Sequence, residues 1–147
     1  MKKKLSIVLL SFTFLYSCKR DNNSINSCTL NSSSFSGAYK ITSEKIQADS
    51  SSPAIENLTN WAECEVDNIF DFSNGGTYSI SEGLVSCTNP PRTRVGTWNL
   101  SGDTLGMISS SGLNVEILIS NFNCNTFQTV TIDSLTGEIS TLTYQRQ

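Results

Sequence analysis

The chain has 147 residues, which indicates one domain, and it is poor in charged groups at 16%. It contains no histidine, so it lacks the commonest acid–base group and the commonest metal ligand. The formal net charge is -3, and an acidic chain repels phosphate backbones, which argues against nucleic-acid binding.

Residues 1–17 have the layout of an export signal. Lys2, Lys3 and Lys4 precede an apolar run, Leu5 to Tyr16, that is too short to span a bilayer as a helix. The tetrad Leu15-Tyr16-Ser17-Cys18 resembles the lipobox of bacterial lipoproteins. This resemblance implies cleavage before Cys18 and lipid attachment to it, which would anchor the protein to the cell envelope. Lys19 then implies the outer membrane, and an ordinary signal peptide is the alternative.

The segment that follows Cys18 is predicted to be a tether. Residues 22–36 are rich in Asn and Ser and contain few apolar groups. Such a composition is typical of a flexible linker. We therefore expect residues 18–36 to be the lipidated tether and residues 37–147 to be the folded domain.

From Gly37 onward, short alternating runs are separated by turn signals, of which Asn74-Gly75 is the strongest. The runs cover about eight segments: 37–42, 68–72, 77–80, 94–100, 104–109, 113–120, 126–132 and 138–144. Tight turns make neighbouring strands antiparallel, and an even-numbered meander can close on itself. The sequence therefore predicts an all-β fold, an eight-stranded antiparallel up-and-down barrel, with a two-sheet sandwich as the alternative.

Alternation within these runs predicts which side chains face inward. In the second run, Phe70 and Phe72 share a face with Cys64 and Val66, and the opposite face is acidic. The other predicted inward sets are Tyr78, Ile80 and Leu84; Trp98 and Leu100; and Leu113, Val115, Ile117 and Ile119. The last two runs do not alternate clearly, so their faces are not assigned.

One long connection, from Gln47 to Ala62, interrupts the meander. Ser52-Pro53 is typical of a helix start, and Ile55, Leu58 and Trp61 recur at helical spacing. A short amphipathic helix over one barrel end is one interpretation. A loop that packs Trp61 on the outside is the other.

Four cysteines remain if Cys18 carries lipid, and an even number in an exported domain favours disulfides. Folding the hairpin at Asn74-Gly75 brings Cys64 and Cys87 close together. We therefore predict a Cys64–Cys87 disulfide, which leaves Cys28 to pair with Cys124.

The central block resembles the lipocalin-like domain of small Bacteroidetes lipoproteins. The residues that carry this resemblance are Cys64 to Phe72, Gly75-Gly76-Thr77-Tyr78, Cys87 and Gly96-Thr97-Trp98-Asn99-Leu100. The resemblance implies an eight-stranded barrel that binds a small apolar molecule. Two features differ: Tyr39 stands where the family's first strand usually carries Trp, and the C-terminal cation, Arg146, lies at the extreme end of the chain.

No catalytic motif, metal site or cofactor motif is predicted. The sequence has no Gly-x-Ser-x-Gly element and no closely spaced cysteine pair, and the acidic residues Glu63, Glu65, Asp67 and Asp71 are expected to be solvated. We therefore expect a protein that is not an enzyme.

The candidate ligand-binding residues are aromatic, with one cation at the mouth of the barrel: Phe70, Phe72, Tyr78, Trp98 and Arg94. The aromatic side chains either line a cavity or fill the interior, and Arg94 either pairs with a ligand carboxylate or lies in solvent. The first function that we consider is binding of a small hydrophobic or amphipathic molecule. The alternative is an interaction or inhibitor module that uses its loops.

Overall fold

The structure is a computed structural model that describes residues 28–147. The predicted signal peptide (1–17), Cys18 and the first part of the predicted tether lie outside these residues. Within residues 28–147, no helix is both long enough and apolar enough to cross a membrane.

Nine antiparallel strands form one sheet that closes on itself. Because β1 pairs with both β3 and β9, the first and last strands of the meander meet. The predicted eight-stranded barrel is thus confirmed, and the short strand β2 is an addition at the edge of β1. The strands are β1 (Gly37–Gln47), β2 (Ile55–Glu56), β3 (Ile69–Phe72), β4 (Thr77–Ser81), β5 (Thr93–Ser101), β6 (Thr104–Ser109), β7 (Asn114–Ser120), β8 (Thr126–Ile132) and β9 (Ile139–Arg146).

The barrel has two different ends. At one end, which we call the closed end, lie the N-terminus of β1, the C-terminus of β9 and the turns after β3, β5 and β7. The opposite end carries the longer connections 48–68 and 82–92 and the loops 110–113 and 133–138. We call it the open end. The candidate site lies toward the open end, and the closed end is filled by aromatic side chains.

Phe35 is the centre of the closed end and has no exposed surface. It is carried by a short helix, α1 (Ser32–Phe35), that is capped by the Asn31 side chain. Its ring centroid lies 5.0 Å from those of Phe72 and Phe127 and 5.5 Å from that of Trp98. These contacts correct the predicted tether boundary at Ser36, because one buried aromatic residue draws the Ser-rich segment into the fold.

A disulfide and an arginine complete the closed end. Cys28 is bonded to Cys124, as the sequence predicts, with the Cα atoms 5.6 Å apart. Arg146 donates hydrogen bonds to the carbonyl oxygens of Cys124 (2.7 Å), Ser36 (2.7 Å) and Ser34 (2.5 Å) and to the Tyr39 hydroxyl (2.6 Å). Its guanidinium carbon lies 5.0 Å from the Tyr39 ring centroid. The C-terminal cation therefore ties α1, β1 and the β7–β8 turn together.

Two local predictions for the long connection are wrong. Residues 63–66 do not extend the second strand but form a short helix, α2 (Glu63–Val66). No helix begins at Pro53; instead Ile55–Glu56 is strand β2, followed by a 3-10 turn over Leu58–Asn60. Ile55 and Glu56 pair with β1, and the hydrogen bonds of this pairing stabilise the segment more than an isolated short helix would. The connection between β1 and β3 nevertheless contains one short α-helix, α2.

One predicted inward face is only partly correct. Leu84 does not continue the inward face of β4, because β4 ends at Ser81 and Leu84 is 102% exposed in the following loop. The face predicted for β7 does point inward: Ile119 is buried, and Leu113, Val115 and Ile117 line the barrel interior, although Leu113 and Val115 stay accessible to solvent. The β7–β8 ladder includes only Ile119↔Thr129 and Ser120↔Gln128, so the wall is loose next to these side chains.

Candidate functional site: a two-part cavity at the open end

The barrel interior toward the open end encloses a cavity of about 470 Å³, which we call the apolar cavity. This volume lies in the range of small-molecule sites. Strands β3 to β9 all contribute side chains, because each presents every second residue inward. The apolar side chains that line it include Phe70, Phe72, Ile80, Leu105, Met107, Ile117 and Phe127.

Aromatic rings form one wall of this cavity. The rings of Phe127 and Tyr144 are stacked, with centroids 4.5 Å apart and an interplanar angle of 4°. The Phe70 ring meets Tyr144 edge-on at 5.4 Å. Burial raises the pKa of Tyr144 to about 12, although a hydrogen bond to Thr129 lowers it in part. Tyr144 therefore stays neutral near neutral pH and acts as an apolar surface with one hydroxyl.

A second cavity of about 640 Å³ adjoins the first, and we call it the polar cavity. The two share Phe70, Ile80, Arg94 and Tyr144. Two apolar side chains from strands also line the polar cavity, Ile41 of β1 and Leu142 of β9. Its other side chains come from the connections of the open end, and most of them are polar or charged: Asn60, Trp61, Glu65, Asn68, Glu82, Thr88 and Arg92. A molecule that spans both cavities would meet an apolar surface at one end and charged groups at the other.

A buried carboxylate holds the segment over the polar cavity. We call this segment, residues 48–62, the strap. A bulge between Ile41 and Ser43 shifts the register of β1 and turns Glu44 inward, where it is 8% exposed. The Glu44 carboxylate accepts hydrogen bonds from Asn57 Nδ2 (2.5 Å), Trp61 Nε1 (2.7 Å) and Ser140 Oγ (3.1 Å). Trp61 is therefore fixed facing the cavity, not packed on the outside.

The Cys64–Cys87 disulfide fixes two other connections of the open end. It joins α2 to the β4–β5 loop, with the Cα atoms 5.1 Å apart, and it is the pairing that the sequence predicts. The Asp67 carboxylate also accepts a hydrogen bond from the Val85 backbone N–H at 2.8 Å. Both cysteines line the polar cavity, so its shape depends on this covalent link.

The structure brings together four of the five predicted ligand-binding residues. Phe70, Phe72, Tyr78 and Arg94 all line the apolar cavity. Trp98 does not line either cavity. It lies at the closed end, where its ring packs against Phe35 and its indole N–H donates to the Ser73 carbonyl at 2.9 Å. The prediction for Trp98 is therefore corrected: its side chain points into the barrel, as the alternation of β5 predicts, but it lies nearer the closed end than the two cavities do.

The residues of the site that were not predicted as site residues include Glu44, Trp61, Phe127 and Tyr144. Phe127 gives no clear signal because β8 places Thr129 inward and the exposed Val130 and Ile132 outward, and the run that contains Tyr144 does not alternate clearly either. The alternation of β1 does not predict an inward Glu44, because the bulge between Ile41 and Ser43 changes the alternation and has no recognisable sequence pattern. Only Trp61 stood out in the sequence, and its direction was left open.

The acidic residues do not form a metal site. The sequence predicts that the four acidic residues share one strand face, and this prediction is wrong. Glu63, Glu65 and Asp67 lie in or just after α2, whereas Asp71 lies on β3. Within residues 28–147, no group of three or more His, Cys, Asp or Glu side chains is placed to hold a metal ion.

The family model for the lipocalin-like domain matches residues 35–144, which is most of the chain. The closed barrel and its interior cavity define the class, and the chain belongs to the lipocalin-like domain family. The match begins at Phe35, the residue at the centre of the closed end.

Comparisons with solved structures give similar barrels at low identity. An odorant-binding protein matches 80% of this chain and 75% of its own, with 12% identity and a TM-score of 0.41. A de novo designed fluorescence-activating β-barrel matches 81% of this chain and all of its own, with 11% identity and a TM-score of 0.39. A redesigned β-barrel matches 79% and 94%, with 16% identity and a TM-score of 0.37. No curated protein matches the chain.

Proposed function

We propose that this protein binds a small hydrophobic or amphipathic molecule in the barrel. The observation that carries the proposal is the apolar cavity of about 470 Å³ within a barrel of the lipocalin-like family. Its walls are mostly aromatic and aliphatic side chains, with Arg94 and several Ser and Thr hydroxyls among them. Each square ångström of apolar ligand surface removed from water contributes about 25 cal/mol, which is the main source of affinity in such a site.

We further propose that the barrel is a Bacteroidetes-type lipoprotein. The lipobox-like tetrad Leu15-Tyr16-Ser17-Cys18 and Lys19 support cleavage before Cys18, lipidation and retention at the outer membrane. Ten positions separate Cys18 from Cys28, the disulfide-bonded residue at the closed end. This arrangement would place the closed end next to the lipid anchor and the open end farther from it.

A matched pair of variants on β7 tests ligand binding. Ile117 lines the apolar cavity, and its neighbour Leu118 is exposed on the outer face. We expect Ile117→Trp to project an indole into the apolar cavity and to weaken the fluorescence gain of the uncharged probe N-phenyl-1-naphthylamine, whereas Leu118→Trp leaves it unchanged. Equal binding by both variants, with thermal unfolding confirming that both are folded, would place the probe outside the barrel and contradict the proposal.

The second candidate function is contact with a protein partner through the loops of the open end. It is favoured by three apolar side chains that are exposed in separate connections there: Ile55, Leu84 and Leu135. Leu84 and Leu135 are 102% and 93% exposed, which is unusual for large apolar residues. Substituting Leu84 and Leu135 with Ser would weaken partner capture but would leave probe binding intact if the two functions are separate.

A further inference from the structure

We propose that the ligand is an amphiphile with an anionic head, held so that its apolar body occupies the apolar cavity and its head meets Arg92 and Arg94 in the polar cavity. This inference rests on the proposed function, because it assigns a chemical class to the ligand of the same site. The class includes carboxylates and phosphates, which share the oxyanion that a guanidinium recognises.

The two arginines lie where an elongated ligand would change from apolar to polar surroundings. Arg94 lies in β5 opposite Ile80, whose side chain borders both cavities, and Arg92 lies just before the strand. Both line the polar cavity, and Arg94 lines the apolar cavity as well. A head group next to Arg94 would therefore leave its chain directed toward Phe70, Ile80 and Tyr144, which border both cavities.

The polar cavity is lined by two arginines and two carboxylates, Glu65 and Glu82, so its formal charge is zero, and hydrogen bonding distinguishes the two kinds of group. Glu82 accepts hydrogen bonds from the Ser86 hydroxyl and from the Thr88 hydroxyl at 3.0 Å. Glu65 accepts one from the Ala62 backbone N–H at 3.3 Å. Neither guanidinium donates a hydrogen bond to another residue in the described part of the chain, so the donors of Arg92 and Arg94 are available to a ligand. Arg94, which also lines the apolar cavity, is therefore the group to which an anionic head would bind.

The test compares three probes that share one chain and differ in the head: dodecanoate, dodecyl phosphate and dodecanol. Each is titrated into the intact protein loaded with N-phenyl-1-naphthylamine, and the displacement gives its affinity. We expect at least one anionic probe to bind about ten-fold more tightly than dodecanol. Arg94→Gln should remove that advantage, and Arg92→Gln should reduce it. Lys45→Gln is the control, because it removes one positive charge from an exposed position on β1 that lines neither cavity.

The outcomes separate this inference from the proposed function. Equal affinity for all three probes, unchanged in Arg94→Gln, overturns the anionic head and leaves barrel binding intact. A loss in Lys45→Gln as large as that in Arg94→Gln shows a diffuse charge effect and also overturns it. If none of the three amphiphiles displaces N-phenyl-1-naphthylamine, the inference fails while binding in the barrel stands. If N-phenyl-1-naphthylamine itself does not bind, the proposed function fails as well. A preference for the phosphate over the carboxylate, or the reverse, still supports the inference and narrows the class.

Discussion

Tyr144 illustrates how a single side chain belongs to both the core and the site. It stacks on Phe127, meets Phe70 edge-on and borders both cavities. Because burial raises its pKa to about 12, the folded barrel excludes the phenolate. The unfolded chain ionises the same group near pH 10, so the folded state loses stability relative to the unfolded state as the pH rises from 10 to 12.

This linkage gives a prediction for Tyr144→Phe. In the native protein, the Tyr144 contribution to the free energy of unfolding should fall by about 1.4 kcal/mol between pH 9 and pH 11. The Phe variant should lose correspondingly less stability over that interval, and a smaller loss due to Tyr39, whose pKa burial also raises, should remain. Urea denaturation at several pH values measures both. Identical pH profiles for the two proteins would contradict the burial of the Tyr144 hydroxyl.

At the scale of elements, the strap is held over the polar cavity largely by Glu44. Its carboxylate accepts hydrogen bonds from two strap residues, Asn57 and Trp61, and the Asn57 backbone N–H also donates to the Glu44 carbonyl at 2.8 Å. A second carboxylate, Glu56, anchors the strap from the other direction through the Ser43 hydroxyl (2.7 Å) and the Glu44 backbone N–H (3.0 Å). The strap is therefore attached to β1 by polar contacts and only two paired residues of β2.

Glu44→Ala should release the strap. Three buried or half-buried donors would lose their acceptor, which we expect to lower the free energy of unfolding by about 2 kcal/mol. The fluorescence of Trp61 should shift to longer wavelength as its indole becomes exposed. Glu138→Ala is the control, since Glu138 is exposed in the β8–β9 loop at the same end. A stability change in Glu44→Ala no larger than in Glu138→Ala would show that the carboxylate does not hold the strap.

The elements that were predictable from sequence are those with strong local signals. The tight turns and alternating runs from Gly37 onward predict the barrel and its strand order, and the Asn74-Gly75 hairpin predicts the Cys64–Cys87 disulfide. The elements that were not predictable depend on long-range contacts. Phe35 is buried only because the closed end leaves room for it, and the strap forms β2 only because β1 extends to Gln47.

The same division applies to the candidate site. Parity places Phe70, Phe72 and Tyr78 inside, and the structure agrees. The alternation of inward and outward residues does not say how far along the barrel axis a side chain lies. Trp98 points inward but lies at the closed end, away from the cavity. The apolar pattern gives no face for β8, because Thr129 faces inward beside Phe127 and the apolar Val130 faces outward.

At the scale of the whole molecule, the two ends of the barrel have different roles. The closed end concentrates the aromatic core, the Cys28–Cys124 disulfide and the hydrogen bonds of Arg146. The open end contains the two adjoining cavities under the strap and the Cys64–Cys87 disulfide. A filled closed end and a hollow open end suit a carrier, and Phe72, Phe127 and Tyr144 belong both to the core and to the wall of the apolar cavity.

Native mass spectrometry tests the central claim most directly. The chain from residue 19 onward would be secreted into an oxidising compartment of a lipid-rich host, so that both disulfides form. We predict an extra mass that is lost on denaturation, is reduced in abundance in Ile117→Trp and is retained in Leu118→Trp. A bare polypeptide mass, together with no uptake of added dodecanoate or N-phenyl-1-naphthylamine, would contradict ligand binding in the barrel.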